Sequence, residues 1–468
     1  MSARHVIGRA SAGLAVLAWG LFAPTIARAN GTFPAVSQLV ADPGDPAHLV
    51  LRTTFGLLVT RDSGANWDWL CEAGAGYKDV EPPLAVLPGG VILLGVPGGV
   101  SRSDAAGCNF ELADGIDANV YDLARVPSEP DSAVAISGAG TDAQLWRTTD
   151  GGKSFAAVGD AIAGFIPATV DVAATDANVI YVSGLAGTTG AFLRSTDGGK
   201  TFTSFALPST MSGRRPFIAA VDPRHADTVY VRFDVQGSSP LAVTHDGGKS
   251  FVTPLTTTVS LAGFALSPDG KTVIASNAYD GTFRADAATL AFEKVACSGP
   301  TCLSFSDAGL FGCGDQSLDG FIVGRSDDLG ATFQRSVDLT CVRGPVTCDS
   351  GTSVGSLCPA AWPYVQTQLG ATECSPPEVQ PNTDCLGDAG AGAVGATGGA
   401  DAGGKSGTGG GSSDGKGASA PSNPGTGPSG NCSCRLPRTA PHDNVWAMAV
   451  TAVLVTRLRR RQRARPGV

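Results

Sequence analysis

Three octets of the chain, TTDGGKSF (Thr148–Phe155), STDGGKTF (Ser195–Phe202) and THDGGKSF (Thr244–Phe251), carry the G-K-S/T ending of a phosphate-cradling loop. Such a loop needs G-x-x-x-x-G-K-S/T, because the early glycine lets successive backbone N–H groups wrap an anion. Arg147, Arg194 and Val243 occupy that early position, so none of the three is a phosphate loop. Their repetition also argues against a unique nucleotide site. Carboxylate recognition is a second chemistry. Arg214 and Arg215 lie side by side in the Pro208–Pro216 stretch and can clamp a carboxylate through guanidinium hydrogen bonds. Tyr77, Tyr121 and Tyr279 would add contact area. With five histidines and no C-x2-C pair, no metal site is expected, and no cofactor.

The amino-terminal residues bear on compartment. Arg4 and Arg9 precede an apolar run from Ala12 to Ala23 and an Ala27-Arg28-Ala29 signature. This reads as a signal peptide over residues 1–29, cleaved after Ala29 to leave Asn30 first. Export makes the 12 cysteines plausible disulfides rather than metal ligands. Residues 30–434 hold 22 basic and 41 acidic residues, a net charge of −19. A body so acidic is repelled by nucleic acid, and no nucleic-acid partner is expected.

The octets belong to a longer series that positions everything else. TRDSGANW (Thr60–Trp67) and SDDLGATF (Ser326–Phe333) join the first three under S/T-x-D-x-G-x-x-F/W. Weaker versions around Asp104 and Asp286 fill two gaps. The marker aspartates are Asp62, Asp104, Asp150, Asp197, Asp246, Asp286 and Asp328, at spacings of 40 to 49 residues. That is the length of one four-stranded propeller blade. Upstream of most octets a Pro/Asp/Gly turn leads into an alternating β-branched run, as in VDPRHADTVYVRF (Val221–Phe233). The expected fold is all-β, a seven-bladed β-propeller of antiparallel four-stranded blades over residues 30–340.

The octets resemble Asp-box repeats, the bacterial neuraminidase repeat of sialidase- and sortilin-like propellers. The resemblance covers five clear and two degraded copies, roughly residues 34–340. It places each octet at the turn between the third and fourth strands of a blade. The residue types fit a turn: Ser195 and Asp197 can bond its backbone, Gly199 permits positive φ, and Phe202 packs between blades. Asp62, Asp150, Asp197, Asp246 and Asp328 are therefore structural. Alternation of turns along an up-and-down blade puts the octets on one rim. The loops between second and third strands, with the blade-to-blade connections, then form the opposite, functional face.

Sialidases of this family carry their first arginine in an F/Y-R-I-P motif ahead of the first repeat. Here Arg52 stands alone, and the nearest likeness, GRRPFIAA, lies in the fifth blade. Relatives that cleave β-glucans use paired acids in an aromatic-lined cleft. The acids on the functional face are Asp79, Asp117, Asp280 and Asp319, and only six Trp and six Tyr exist in the chain. The resemblance thus implies a non-catalytic binding module for a glycan or protein ligand, with Arg214, Arg215 and Tyr279 as ligand-binding residues. The alternative is a glycoside hydrolase, sialidase- or β-glucanase-like, using a divergent pair among the four aspartates.

Past blade seven, residues 341–385 form a cysteine-rich segment with too little apolar content for a core of its own. Residues 386–431 contain 17 glycines and read as a disordered linker. Residues 432–468 join Cys432 and Cys434 to the apolar run Val445–Val455 and six arginines between Arg457 and Arg465. The module resembles the myxobacterial C-terminal sorting signal, in which a cysteine precedes a hydrophobic helix and an arginine tail. That likeness implies processing or lipid attachment at Cys432 or Cys434 and display on a Gram-negative cell surface. Export and processing machinery would be partners, with passing membrane contact through the short helix.

Overall fold

The computed structural model describes residues 34–376 apart from 234, 235 and 298. The segment expected to be a signal peptide, the Gly-rich stretch expected to be a linker, Cys432, Cys434 and the arginine tail all lie outside the described residues. Among the described residues no helix is long and apolar enough to cross a membrane.

Seven antiparallel four-stranded sheets follow one another along the chain, each in simple up-and-down order. They are blades 1 (residues 36–70), 2 (84–112), 3 (119–162), 4 (165–206), 5 (216–259), 6 (263–296) and 7 (303–337). First strands touch the first strands of neighbouring blades, and the first strand of blade 1 packs against blade 7. The result is a seven-bladed β-propeller with its first strands around a central channel. Blade 1 and blade 7 are each built from one continuous stretch, so no shared strand closes the ring.

The octet turns are uniform. In the fourth blade Ser195 Oγ accepts from Gly199 N at 2.8 Å and donates to Asp197 Oδ1 at 2.7 Å, while Asp197 accepts from Thr201 N and Thr201 Oγ1. The octets starting at Thr148, Thr244 and Ser326 repeat this pattern, and Thr60 keeps it with Asn66 in the last role. In blades 3, 4 and 5 the turn also bonds the first turn of its own blade: Gly151 N to Asp131 O, Gly198 N to Asn178 O and Gly247 N to Asp227 O. Both turn types therefore share a rim, and the remaining loops share the other.

The terminal aromatic of each octet faces the preceding blade. Phe155 packs with residues of blade 2, Phe202 with blade 3, Phe251 with blade 4, Phe292 with blade 5 and Phe333 with blade 6. Trp67, fully buried, closes blade 1 onto blade 7, and its Nε1 donates to Gly64 O and to Ser336 Oγ. The core is thus a ring of interblade clusters rather than one central mass.

The cysteine-rich segment packs on the propeller's core. Residues 353–369 form a helix, α1 (Ser353–Leu369), capped by Thr352 Oγ1 on Gly355 N and ended by Gly370 in the left-handed conformation. Its Val354, Cys358, Val365 and Leu369 join the cluster of blades 7, 1 and 2 instead of standing on disulfides alone. The strand leading to it extends blade 1: Trp69 N donates to Gly344 O, Val346 N to Trp69 O, and Arg343 holds Asp68 through two bonds of 2.9 and 2.6 Å. Disulfides Cys71–Cys358 and Cys108–Cys348 fasten it to blades 1 and 2, while Cys341–Cys374 and Cys302–Cys313 brace its ends and blade 7. This strap performs the closure that no shared strand provides. Cross-links of this kind belong to an exported protein.

Candidate functional site

First strands expose one edge to the channel, where backbone N–H groups lack a fifth strand to pair with. Side chains of the neighbouring blade fill part of that role. Asp122 Oδ2 accepts from Val170 N at 2.9 Å, Thr169 Oγ1 from Ile218 N at 2.8 Å, and Asp171 Oδ2 from Val221 N at 3.2 Å. Gln38 Nε2 donates to Leu84 O. These polar residues, with Arg52, Arg125 and Arg232, line a channel of about 640 Å³. Desolvation in this confined space pushes Asp122 up to about 7, against the pull of its backbone hydrogen bonds from Val170 and Leu123. Asp171 is pushed up to about 6 by the same desolvation, against its bonds from Val172 and Val221.

At the functional-face end of the channel, Arg52 Nε donates to Ser37 Oγ, Arg52 Nη1 to Pro82 O, and Ser37 Oγ to Glu81. Across the mouth the guanidiniums of Arg215 and Arg232 lie over the Phe217 ring, 5.6 and 5.1 Å from its centroid. Arg232 Nη1 donates to Leu261 O, and Arg215 Nη2 to Pro167 O at 2.7 Å, while Arg215 Nε is buried without an acceptor. Tyr121, 42% exposed, stands on the same channel. Two cations beside one aromatic ring, with an N–H in need of an acceptor among the described residues, suit an anionic or hydroxyl-bearing ligand.

A second concavity, about 900 Å³, opens between α1 and the connection from blade 1 to blade 2. Phe55, Trp69 and Val365 form its floor, Val80 and Tyr364 its flanks, and Glu72, Lys78, Asp79 and Glu81 its rim. Glu81 also lines the channel.

The predicted residues scatter over these surroundings. Arg215 joins the mouth cluster, whereas Arg214 turns to Ser238 O at 2.6 Å. Tyr279 is 81% exposed on a turn of blade 6. Asp79 sits on the rim of the second concavity with a φ of 54° and faces Lys78 at 3.9 Å. Asp117 is exposed in the connection between blades 2 and 3. Asp280 accepts from Thr258 N, Thr258 Oγ1, Val259 N and Asn277 Nδ2, and Asp319 accepts from Asp315 N. The four acids stand on four separate connections; Asp280 ties its turn in blade 6 to the last strand of blade 5, and Asp319 serves its own loop. Tyr77 is buried rather than presented. Phe217, Arg232, Asp122 and Asp171 were not singled out from sequence. A charged residue inside each of two first strands, NVYDLAR (Asn119–Arg125) and FIPATVDV (Phe165–Val172), is the signal that marks the channel.

No family model matches the chain, and no curated protein matches it. Among solved structures it is similar to an ancestral GH74 enzyme, at 13% identity and a TM-score of 0.48, over 64% of this chain and 46% of that one. It is likewise similar to the GH74 xyloglucanase of Xanthomonas campestris at 18% identity, with a TM-score of 0.36 over 66% and 55% of the two chains. YCF48 from Cyanidioschyzon merolae matches at 16% identity and a TM-score of 0.39, over 54% and 82%. The chain spans about half the length of these two GH74 chains. At such identities the likeness concerns the propeller fold alone.

Proposed function

We propose that this chain is an exported β-propeller that binds a glycan or protein ligand at the channel mouth without turning it over. The observation that carries the reading is the contrast at the functional face. Its loop acids are dispersed or already taken as acceptors, Asp280 mainly by the last strand of blade 5 and Asp319 by its own turn, whereas Arg215, Phe217 and Arg232 converge beside the opening. The octets support a likeness to the Asp-box propellers, which include receptor-type and assembly-factor binders beside many glycoside hydrolases. The C-terminal resemblance supports display on a Gram-negative cell surface, with export and processing machinery as partners and Cys432 or Cys434 as the processed residue.

A second reading, a glycoside hydrolase, draws on Asp122 and Asp171, whose raised ionisation lies in the range of a general acid. Both carboxyls already accept backbone N–H groups of the next blade, which favours a structural role. The binding reading is tested by passing the full chain over immobilised bacterial and plant glycans and sialosides. Arg215→Ala is expected to cut retention about tenfold, the loss of one charge-assisted bond. Unchanged retention by that variant would move the ligand away from the mouth.

A further inference from the structure

We propose that the concavity between α1 and the blade 1 to blade 2 connection is a docking groove for a basic, apolar peptide segment of a partner protein. This inference does not rest on the reading of the channel mouth. The floor and flanks of the groove are apolar and aromatic. Tyr364, 72% exposed, and Val80, 37% exposed, are among the large apolar side chains left in water. They line the groove together with the buried rings of Phe55 and Trp69, and Trp69 is backed by Trp362 at 5.4 Å between centroids. On α1, Ala361, Tyr364 and Val365 fall on one helical face by their spacing, and that face is the groove wall.

Charge selects the occupant. Three carboxylates, Glu72, Asp79 and Glu81, meet one ammonium, Lys78, which lies 3.9 Å from Asp79. Glu81 is engaged by Ser37 and Arg52. Glu72 accepts only the Asp79 N–H, at 3.3 Å, and has no ion-pair partner among the described residues. A lysine or arginine side chain entering beside Glu72 would meet an unpaired carboxylate and the aromatic rings together, the pairing that attracts cations most strongly. Its apolar neighbours would cover Val80 and Tyr364. A second copy of this chain is the poorer fit, because a body of net charge −19 over residues 30–434 brings like charge to an acidic rim. The groove is also wide enough for several side chains, which suits a segment rather than a lone amine.

The test uses the full chain and a short fluorescein-labelled peptide of alternating leucine and lysine, read by fluorescence anisotropy. A matched peptide with glutamine for lysine is the neutral control. Glu72→Gln and Tyr364→Ser are each expected to weaken the lysine peptide about tenfold. Asp160→Asn, an exposed acid on the outer strand of blade 3, is expected to leave it unchanged. Thermal melts of each variant confirm that it folds. Equal weakening by Asp160→Asn, or no weakening by either groove variant, would reduce the binding to general attraction by an acidic surface and overturn the proposal. Equal affinity for the glutamine peptide would overturn it as well. Sedimentation showing a dimer that Tyr364→Ser dissolves would assign the groove to a second copy instead.

Discussion

Gly199 shows how little freedom single positions have in this fold. Its φ is +92°, and a β-carbon there would stand 2.1 Å from Leu145 Cδ2 of the preceding blade. Gly199→Ala therefore meets backbone strain and a steric clash together, and is expected to cost about 2–4 kcal/mol by urea unfolding. A loss below about 0.5 kcal/mol would mean that the blades can part to admit a methyl group. The octet aspartate beside it is secured electrostatically. Bonds from Thr201 and Ser195 lower Asp197 to about 2, so the turn keeps its acceptor through mild acid. Asp122 behaves oppositely. The folded chain holds its proton up to about pH 7, whereas an unfolded aspartate releases it near ~4. Folding takes up a proton between those values, so the contribution of Asp122 to stability falls as pH rises from about 4 to about 7. Asp122→Asn removes that ionisation. Its melting temperature is expected to match the wild type near pH 5 and to exceed it by about 2–4 °C at pH 8. Parallel melting curves at both pH values would show that the channel leaves Asp122 ordinary.

At the scale of elements, the octets made the blades legible because their chemistry is local. A serine or threonine, an aspartate and a left-handed glycine build the turn largely from bonds within the octet, so five clear copies and two degraded ones at blade spacing mark the seven blades. Helix α1 was illegible for the opposite reason. Pro359 and Pro363 break the sequence pattern that helices usually show, and the buried residues Val354, Cys358, Val365 and Leu369 find their partners only in blades distant along the chain. The Cys71–Cys358 disulfide spans 287 residues and pins this helix over blade 1. Replacing both cysteines by serine is expected to cost about 2–5 kcal/mol. It is also expected to redshift tryptophan emission as Trp362 loosens from Trp69. A double variant that melts like the wild type would show that the strap holds by packing and hydrogen bonds without that cross-link.

For the whole molecule, the strap reaches both rims, tied at the third-to-fourth-strand turn of blade 2 by Cys108 and beyond the last strand of blade 1 by Cys71. The strap over blades 1 and 2 builds one wall of the groove, and Glu81 belongs to both groove and channel. The face that would carry function followed from the alternation of turns, and the loop boundaries agree with it. Which residues converge there did not follow, because Phe217 and Arg232 come from two strands of blade 5 and meet only when it folds. The four loop acids looked alike in sequence, and only their hydrogen bonds separate Asp280 and Asp319 from Asp79 and Asp117. Binding without turnover, as proposed for the channel mouth, is decided by incubating the full chain with the glycans it retains and measuring new reducing ends. Retention is expected with no new ends above the level of an Asp79, Asp117, Asp280 and Asp319 quadruple asparagine variant. New ends that disappear in that variant, or in Asp122→Asn, would contradict it and make the chain a glycoside hydrolase.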